Sequence, residues 1–291
     1  MPTLPPVTDR VLSWYAGSAR DLPWRRPGAT AWAVLVSEVM LQQTQVTRVL
    51  PAYDAWLARW PTPSLLAAET PGAAVRQWGR LGYPRRALAL HAAATQIASK
   101  HDGQVPRDLD ALLELPGVGA YTARAVAAFG FRQRHPVVDT NVRRVVTRHM
   151  HGRTAGPGST PSARDRDVVA GLLPVDGEAA AQVSVALMEL GALVCTARRP
   201  HCRTCPIVDD CAWLAAGSPD AAPHRNQSYT GTDRQARGRL LAVLRDADGP
   251  VDATTLTAAW AEPSQRERAL AGLLTDGLAT ANADGRYALP G

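Results

Sequence analysis

The residues best equipped for chemistry are concentrated in a few places. All four cysteines lie between positions 195 and 211, spaced C-x6-C-x2-C-x5-C. Four thiols packed this closely suit a cubane iron–sulfur cluster or a tetrahedral zinc ion. Zinc sites usually pair two C-x2-C knuckles. Here Cys202 and Cys205 form the single knuckle, and Cys195 and Cys211 stand alone, which favours one 4Fe–4S cluster. Arg198, Arg199, His201 and Arg203 lie in the same run. They form a solvated basic loop or, with a metal fixing the loop, a surface aimed at phosphate; the metal makes the second reading the better one.

Two carboxylates stand out next. Glu38 sits in Ala31-Trp32-Ala33-Val34-Leu35-Val36-Ser37-Glu38-Val39-Met40-Leu41, where Ser37 is the other polar residue. A carboxylate on so apolar a helix is costly to desolvate, so its pKa is expected to rise, as a general acid requires. A buried structural pair or an exposed helix edge explains it equally simply. Asp139 follows the apolar Pro136-Val137-Val138 and precedes a helix, where an N-cap role is the plain reading. Leu115-Pro116-Gly117-Val118-Gly119 joins two helices. Its glycines let backbone N–H groups approach an anion at the start of the next helix, and an ordinary αα-turn fits the same residues.

The elements that must position these groups are mostly helical. Apolar residues recur at helical spacing over 32–42, 63–78, 86–100, 120–131, 141–149 and 179–193. Turn residues separate them, and little alternates as a strand would. An all-α domain over 1–216 is expected, with the cysteine loop at 195–211 and an exposed loop at 152–161. A linker follows at 217–232. Residues 233–291 then show three helical stretches, at 237–247, 254–260 and 264–276, and a hairpin near Asn282 to Gly285, the pattern of a winged-helix-like unit.

Composition narrows the function. Of the 32 basic residues, 31 are arginine; Lys100 is the single lysine, so amine nucleophiles are scarce. The net charge is +6; residues 1–219 carry +7 and residues 220–291 carry −1. Phosphate binding is therefore expected from the helical part rather than from the tail. No run of 18 uninterrupted apolar residues exists, and the first residues lack a charged-then-apolar leader pattern. A cytoplasmic, nucleoid-associated monomer without a membrane partner is expected.

Together these pieces resemble the helix-hairpin-helix DNA glycosylases of the endonuclease III superfamily that carry an iron–sulfur cluster, and within them the MutY-type adenine glycosylases. The carrying segments are Leu22-Pro23-Trp24-Arg25, Ser37 to Val46 (SEVMLQQTQV), Leu81-Gly82-Tyr83, Leu115 to Ala123 (LPGVGAYTA), Val138-Asp139-Thr140-Asn141-Val142, Met188-Glu189-Leu190-Gly191 and the four cysteines. The resemblance implies a six-helix barrel module beside a cluster module. It implies excision of adenine opposite 8-oxoguanine or guanine in double-stranded DNA. Glu38 would protonate adenine N7. Asp139 would stabilise the oxocarbenium-like sugar, directly or through a transient covalent bond, with Tyr121 and Asn141 in support. Arg20, Trp24, Arg25 and Leu41 would line the base pocket; Gln43, Thr44 and Tyr83 would probe the opposite base and the gap in the stack. Gly117, Val118, Gly119 and Thr122 would grip phosphate with Arg198, Arg199 and Arg203. Trp24 and Leu41 are equally good core residues, and Tyr83 an equally good turn aromatic.

Some positions depart from the family pattern. Endonuclease-III-type relatives place a nucleophilic lysine at position 121, where this chain has Tyr121, so base excision without strand nicking is expected. The family's larger C-terminal domain, folded like a nucleotide-sanitising hydrolase and sensing 8-oxoguanine, has no room in residues 220–291. Thr140 stands where the family has glycine, and Val185 where it often has a polar residue. Two alternatives remain: a thymine or uracil mismatch glycosylase, against which Glu38 counts, and a non-catalytic cluster-bearing regulator, against which the acidic tail counts.

Overall fold

The computed structural model describes residues 6–154, 160–219 and 229–291. In chain order the helices are α1 (Pro6–Ser18), α2 (Ala31–Leu41), α3 (Val46–Arg59), α4 (Pro63–Ala67), α5 (Pro71–Trp78), α6 (Arg85–Lys100), α7 (Leu109–Leu113) and α8 (Ala120–Ala125). Then come α9 (Thr140–His151), α10 (Ala163–Leu172), α11 (Gly177–Leu193), α12 (Ala212–Ala215), α13 (Asp233–Asp246), α14 (Ala253–Ala259) and α15 (Pro263–Thr275), with strands β1 (Thr280–Ala281) and β2 (Tyr287–Ala288). The expected all-α class is the class observed. Two compact units divide the chain. One comprises Met1–Val34, Arg107–Leu113 and Gly119–His224; the other comprises Leu35–Pro106, Glu114–Val118 and Arg225–Gly291.

In the first unit, α9 buries Val142, Val145 and Val146, three residues on one helical face. They share a core with Val183, Leu187 and Leu190 of α11 and with Val11 of α1. Asp139 starts α9 as its N-cap, and Gly152 ends it in the left-handed conformation. The expected helix over 120–131 changes character midway: α8 widens into a π turn over Val126–Gly130.

In the second unit, the rings of Trp56, Trp60 and Trp78 meet edge-on, with centroids 4.7 and 5.7 Å apart. The stretch 63–78, expected as one helix, is two. Pro71 disfavours helical backbone at Thr70. The chain breaks there, and the Thr62 and Thr70 side chains cap α4 and α5 by accepting from Leu65 and Ala73 N–H.

The C-terminal residues form three helices and a small hairpin, in which Thr280 faces Ala288 and Ala281 faces Tyr287. They fall in the second unit. Reciprocal arginine bonds hold them to α5: Arg245 donates to the Val75 carbonyl, and Arg76 donates to the carbonyls of Arg245 and Ala247. Burial pulls the Arg245 guanidinium down to about 10, still charged at neutral pH. Of the linker expected at 217–232, residues 220–228 lie outside the described residues, as do 155–159 of the expected loop.

The chain end docks through Gly72, whose N–H donates to the Pro290 carbonyl at 2.7 Å. A Cβ at Gly72 would stand 2.4 Å from that oxygen. Gly72→Ala is therefore expected to lose about 1–3 kcal/mol in urea denaturation. Gly171→Ala, where nothing lies within 4 Å, serves as the tolerated control. Equal stability of the two variants would show that the tail does not depend on this docking.

Candidate active site and metal centre

Each unit is described by itself. In the first, Asp139 does more than cap α9. One carboxylate oxygen accepts from Val142 N–H at 2.7 Å, and the other from Asn141 Nδ2 at 2.8 Å. Burial raises the Asp139 pKa above its ordinary value, while these two donors pull it back toward ionisation. Asn141 is itself fixed. Its Oδ1 accepts from Arg144 at 2.7 Å, and the same guanidinium donates to the carbonyls of Gly191 and Cys195, each at 2.6 Å. A hydrogen-bonded chain thus runs from Asp139 through Asn141 and Arg144 to the backbone of the first cysteine. Tyr121 packs with Ala125, Ala128 and Val137, and Thr122 is buried.

All four cysteines border one open cavity, walled by Val194, Pro200, Val208, Trp213 and Leu214. Among the described residues, no three His, Cys, Asp or Glu side chains converge closely enough to hold a single metal ion. Four thiols around one cavity are compatible with an iron–sulfur cluster. Arg148, buried beneath them, donates to the Thr196 and Ala197 carbonyls and approaches Cys195 Sγ at 3.5 Å, with its guanidinium 4.6 Å from the Trp213 ring centroid. A buried cation there complements an anionic thiolate set. Burial and the neighbouring thiols push Cys205 up to about 11 and Cys202 upward. A bound metal's positive charge reverses that tendency. The residues fit the cluster. Arg198, Arg199 and Arg203 are exposed around it.

Two residues assigned to the base pocket are engaged elsewhere. The Glu189 carboxylate, fully buried in α11, receives the Arg20 guanidinium at 2.6 and 2.8 Å, the Arg20 backbone N–H at 3.1 Å and Arg25 at 2.7 Å. Trp24, between them, is buried. Burial works against ionisation of Glu189, but the two arginines hold its pKa at about 2. In the sequence Glu189 lies within Met188-Glu189-Leu190-Gly191 with no assigned role. The signal was available: past the first turn of α11 it is the one carboxylate in a largely apolar helix, the pattern that singled out Glu38.

In the second unit, Glu38 is 5% exposed, and every residue from Trp32 to Met40 of α2 is buried. Two turns carry the residues assigned to the opposite base. Gln43 and Tyr83 both adopt left-handed backbone, with φ of 54° and 48°. Tyr83 is 49% exposed. Arg86, which sequence reading missed, organises both turns. It donates to the carbonyls of Val39, Met40 and Gln42, to Thr44 Oγ1 and to the Gly82 carbonyl, at 2.6–3.0 Å. Leu41 is half-buried just before the first turn. In the hairpin, Val118 N–H closes the turn onto the Leu115 carbonyl, and Gly117 has φ +76° with its Cα against Ala89. Gly119 starts α8.

The comparisons with known proteins agree with this geometry. Residues 36–165 match the HhH-GPD superfamily of base excision DNA repair proteins. The chain is 58% identical to an adenine DNA glycosylase of Mycolicibacterium smegmatis, over 97% of this chain and 95% of that one. It is 40% identical to the human adenine DNA glycosylase over 73% of this chain and 42% of that one. A solved structure of a thermostable thymine-DNA glycosylase superposes with a TM-score of 0.65 at 25% identity, covering 72% of this chain and 94% of that one. Fold and sequence thus define a base excision DNA repair protein of the HhH-GPD superfamily. The chain belongs to the MutY-type branch of that family.

Glu189 offers a test of how the first unit is held. Breaking a buried charge cluster at one partner costs about 3–5 kcal/mol, because the other charges stay buried. Glu189→Gln is therefore expected to lower unfolding free energy by about 3 kcal/mol at pH 7. The depressed carboxylate contributes stability above its ordinary pKa of 4.5, and that contribution is lost as pH falls toward about 2. The gap between wild type and variant should accordingly narrow from pH 7 to pH 3; a constant gap would contradict the assignment.

Proposed function

We propose that this chain is a monofunctional adenine DNA glycosylase, hydrolysing the N-glycosidic bond of adenine mispaired with 8-oxoguanine or guanine in duplex DNA. The observation that carries the reading is Glu38. It is a carboxylate withdrawn into an apolar helix, in a chain 58% identical to an adenine DNA glycosylase. A purine leaves readily once its N7 is protonated, and a pyrimidine offers no such atom. Lys100 is the chain's single lysine and ends α6, while Tyr121 stands at the lyase position; no lysine is therefore suggested as a Schiff-base nucleophile.

In this reading the target adenine leaves the stack at a cost of a few kcal/mol and enters the protein. Glu38 gives its proton to N7. Positive charge then develops at the sugar, and Asp139 is assigned to stabilise it as a carboxylate. The donors from Val142 and Asn141 favour the ionised form of Asp139 and oppose the rise that burial imposes. Water completes the hydrolysis. Gln43, Thr44 and Tyr83 are assigned to the opposite base and the gap, held by Arg86; Arg20 and Arg25 are assigned to shaping the pocket through Glu189 rather than to direct hydrogen bonds with the base. The hairpin at Gly117–Gly119 with Thr122, and Arg198, Arg199 and Arg203, are assigned to phosphate. Cys195, Cys202, Cys205 and Cys211 would hold one 4Fe–4S cluster, which when bound cross-links the 195–211 loop.

Single-turnover excision from an A:8-oxoguanine duplex tests the two carboxylates. Glu38→Gln should slow excision by on the order of 100- to 10,000-fold with DNA binding retained. Asn141→Leu removes a donor to Asp139, which raises its pKa. The reaction needs that group ionised, so the acid limb of the rate profile should move to higher pH. A Glu38→Gln enzyme as fast as wild type, or an unmoved acid limb, would sink the assignment of that residue.

A further inference from the structure

The C-terminal residues carry a net −1 and by charge alone should keep away from DNA. One local feature runs against that balance. Arg234, near the start of α13, is exposed, and its guanidinium lies 6.0 Å from the Tyr83 ring centroid. Arg86 flanks the same ring at 5.4 Å. Exposed Arg48 of α3 donates to the carbonyl of Arg80, itself exposed three residues before Tyr83. A solvent-facing aromatic is thus flanked by guanidinium groups from α6 and from α13. The carboxylates close by on the C-terminal elements are already taken. Asp233 is engaged by Arg268 and Gln265, and Asp276 by Arg237 and Arg85.

We propose that Arg234 is a DNA-contacting residue, so that the C-terminal segment supplies a backbone phosphate contact beside Tyr83. The proposal rests on the glycosylase reading above. An exposed ring with a guanidinium at its side is a surface on which a nucleotide can lie, the ring facing base or sugar and the planar fork facing phosphate. The segment can hold such a group in register because it is fixed to α5 through Arg76, Arg245 and the Gly72–Pro290 bond. A freely tethered domain could not. The small C-terminal segment then has a task that its overall charge conceals.

The test uses the full chain, a duplex with A opposite 8-oxoguanine and the matched undamaged duplex. Affinity is measured across a salt series for wild type, Arg234→Ala and Arg234→Lys, with urea midpoints for each. Arg234→Ala should weaken binding to both duplexes and reduce the slope of log affinity against log salt by about one. Arg234→Lys should restore the slope. Urea midpoints should not change. An unchanged slope overturns the proposal. A lowered urea midpoint with an unchanged slope does so too, by showing that Arg234 only packs against Tyr83. If wild type excises adenine while the slope is unmoved, this inference fails and the glycosylase reading stands. If wild type binds DNA with the expected slope change but releases no adenine, the reading fails and the contact stands.

Discussion

The first unit depends on one guanidinium. Arg144 donates to Asn141, to Gly191 and to Cys195, and Asn141 in turn donates to Asp139. A carboxylate at the start of a helix would usually be satisfied by the N–H groups it caps. Here half of its hydrogen bonding is delegated to a side chain whose own position depends on α11 and on the cysteine loop. The geometry around Asp139 is therefore only as good as the loop that Cys195 begins. A loop closed by a metal cluster supplies a fixed acceptor that an unclosed loop of small and polar residues does not.

The same device recurs. Arg86 gathers acceptors from the end of α2 and from two turns, Arg148 holds the carbonyls after Cys195, Arg134 holds those after α10, and Arg245 joins α13 to α5. Each is an arginine used for its rigid fork rather than for its charge toward DNA. This recasts the composition. Much of the basic excess seen in the sequence works inside the protein, and arginines free to meet phosphate are a smaller group, including those of the cysteine loop.

Much of this was legible in the sequence. The helical periodicity of α9 and α11 is clean because each buries one stripe, and the Asp139 cap is a local signal. The break between α4 and α5 was missed because the apolar spacing continues across it; Pro71, not the pattern, decides the matter. Helix α3 was passed over with Pro51 in its interior, yet it buries Val49, Tyr53 and Trp56. At the site, Glu38 was conspicuous because its neighbours are apolar. Glu189 carries the same signature but is neutralised by Arg20 and Arg25, which lie far away in sequence. Arg86 and Arg144 are not legible in the sequence because most of their acceptors are main-chain carbonyls, which no residue type announces. The hold of residues 233–291 on α5 is hidden for the same reason: it runs through carbonyls of Val75, Arg245, Ala247 and Pro290.

The central claim is about which bond is broken and which is left. The most direct measurement is identification of the released product from duplexes holding A, T or U opposite 8-oxoguanine, G and C, by mass spectrometry of the free base together with strand analysis before and after alkali. The account predicts free adenine from the A:8-oxoguanine and A:G duplexes, and a strand that stays intact until alkali is added. Release of thymine or uracil with adenine left in place, or a strand already cut before alkali, would contradict it.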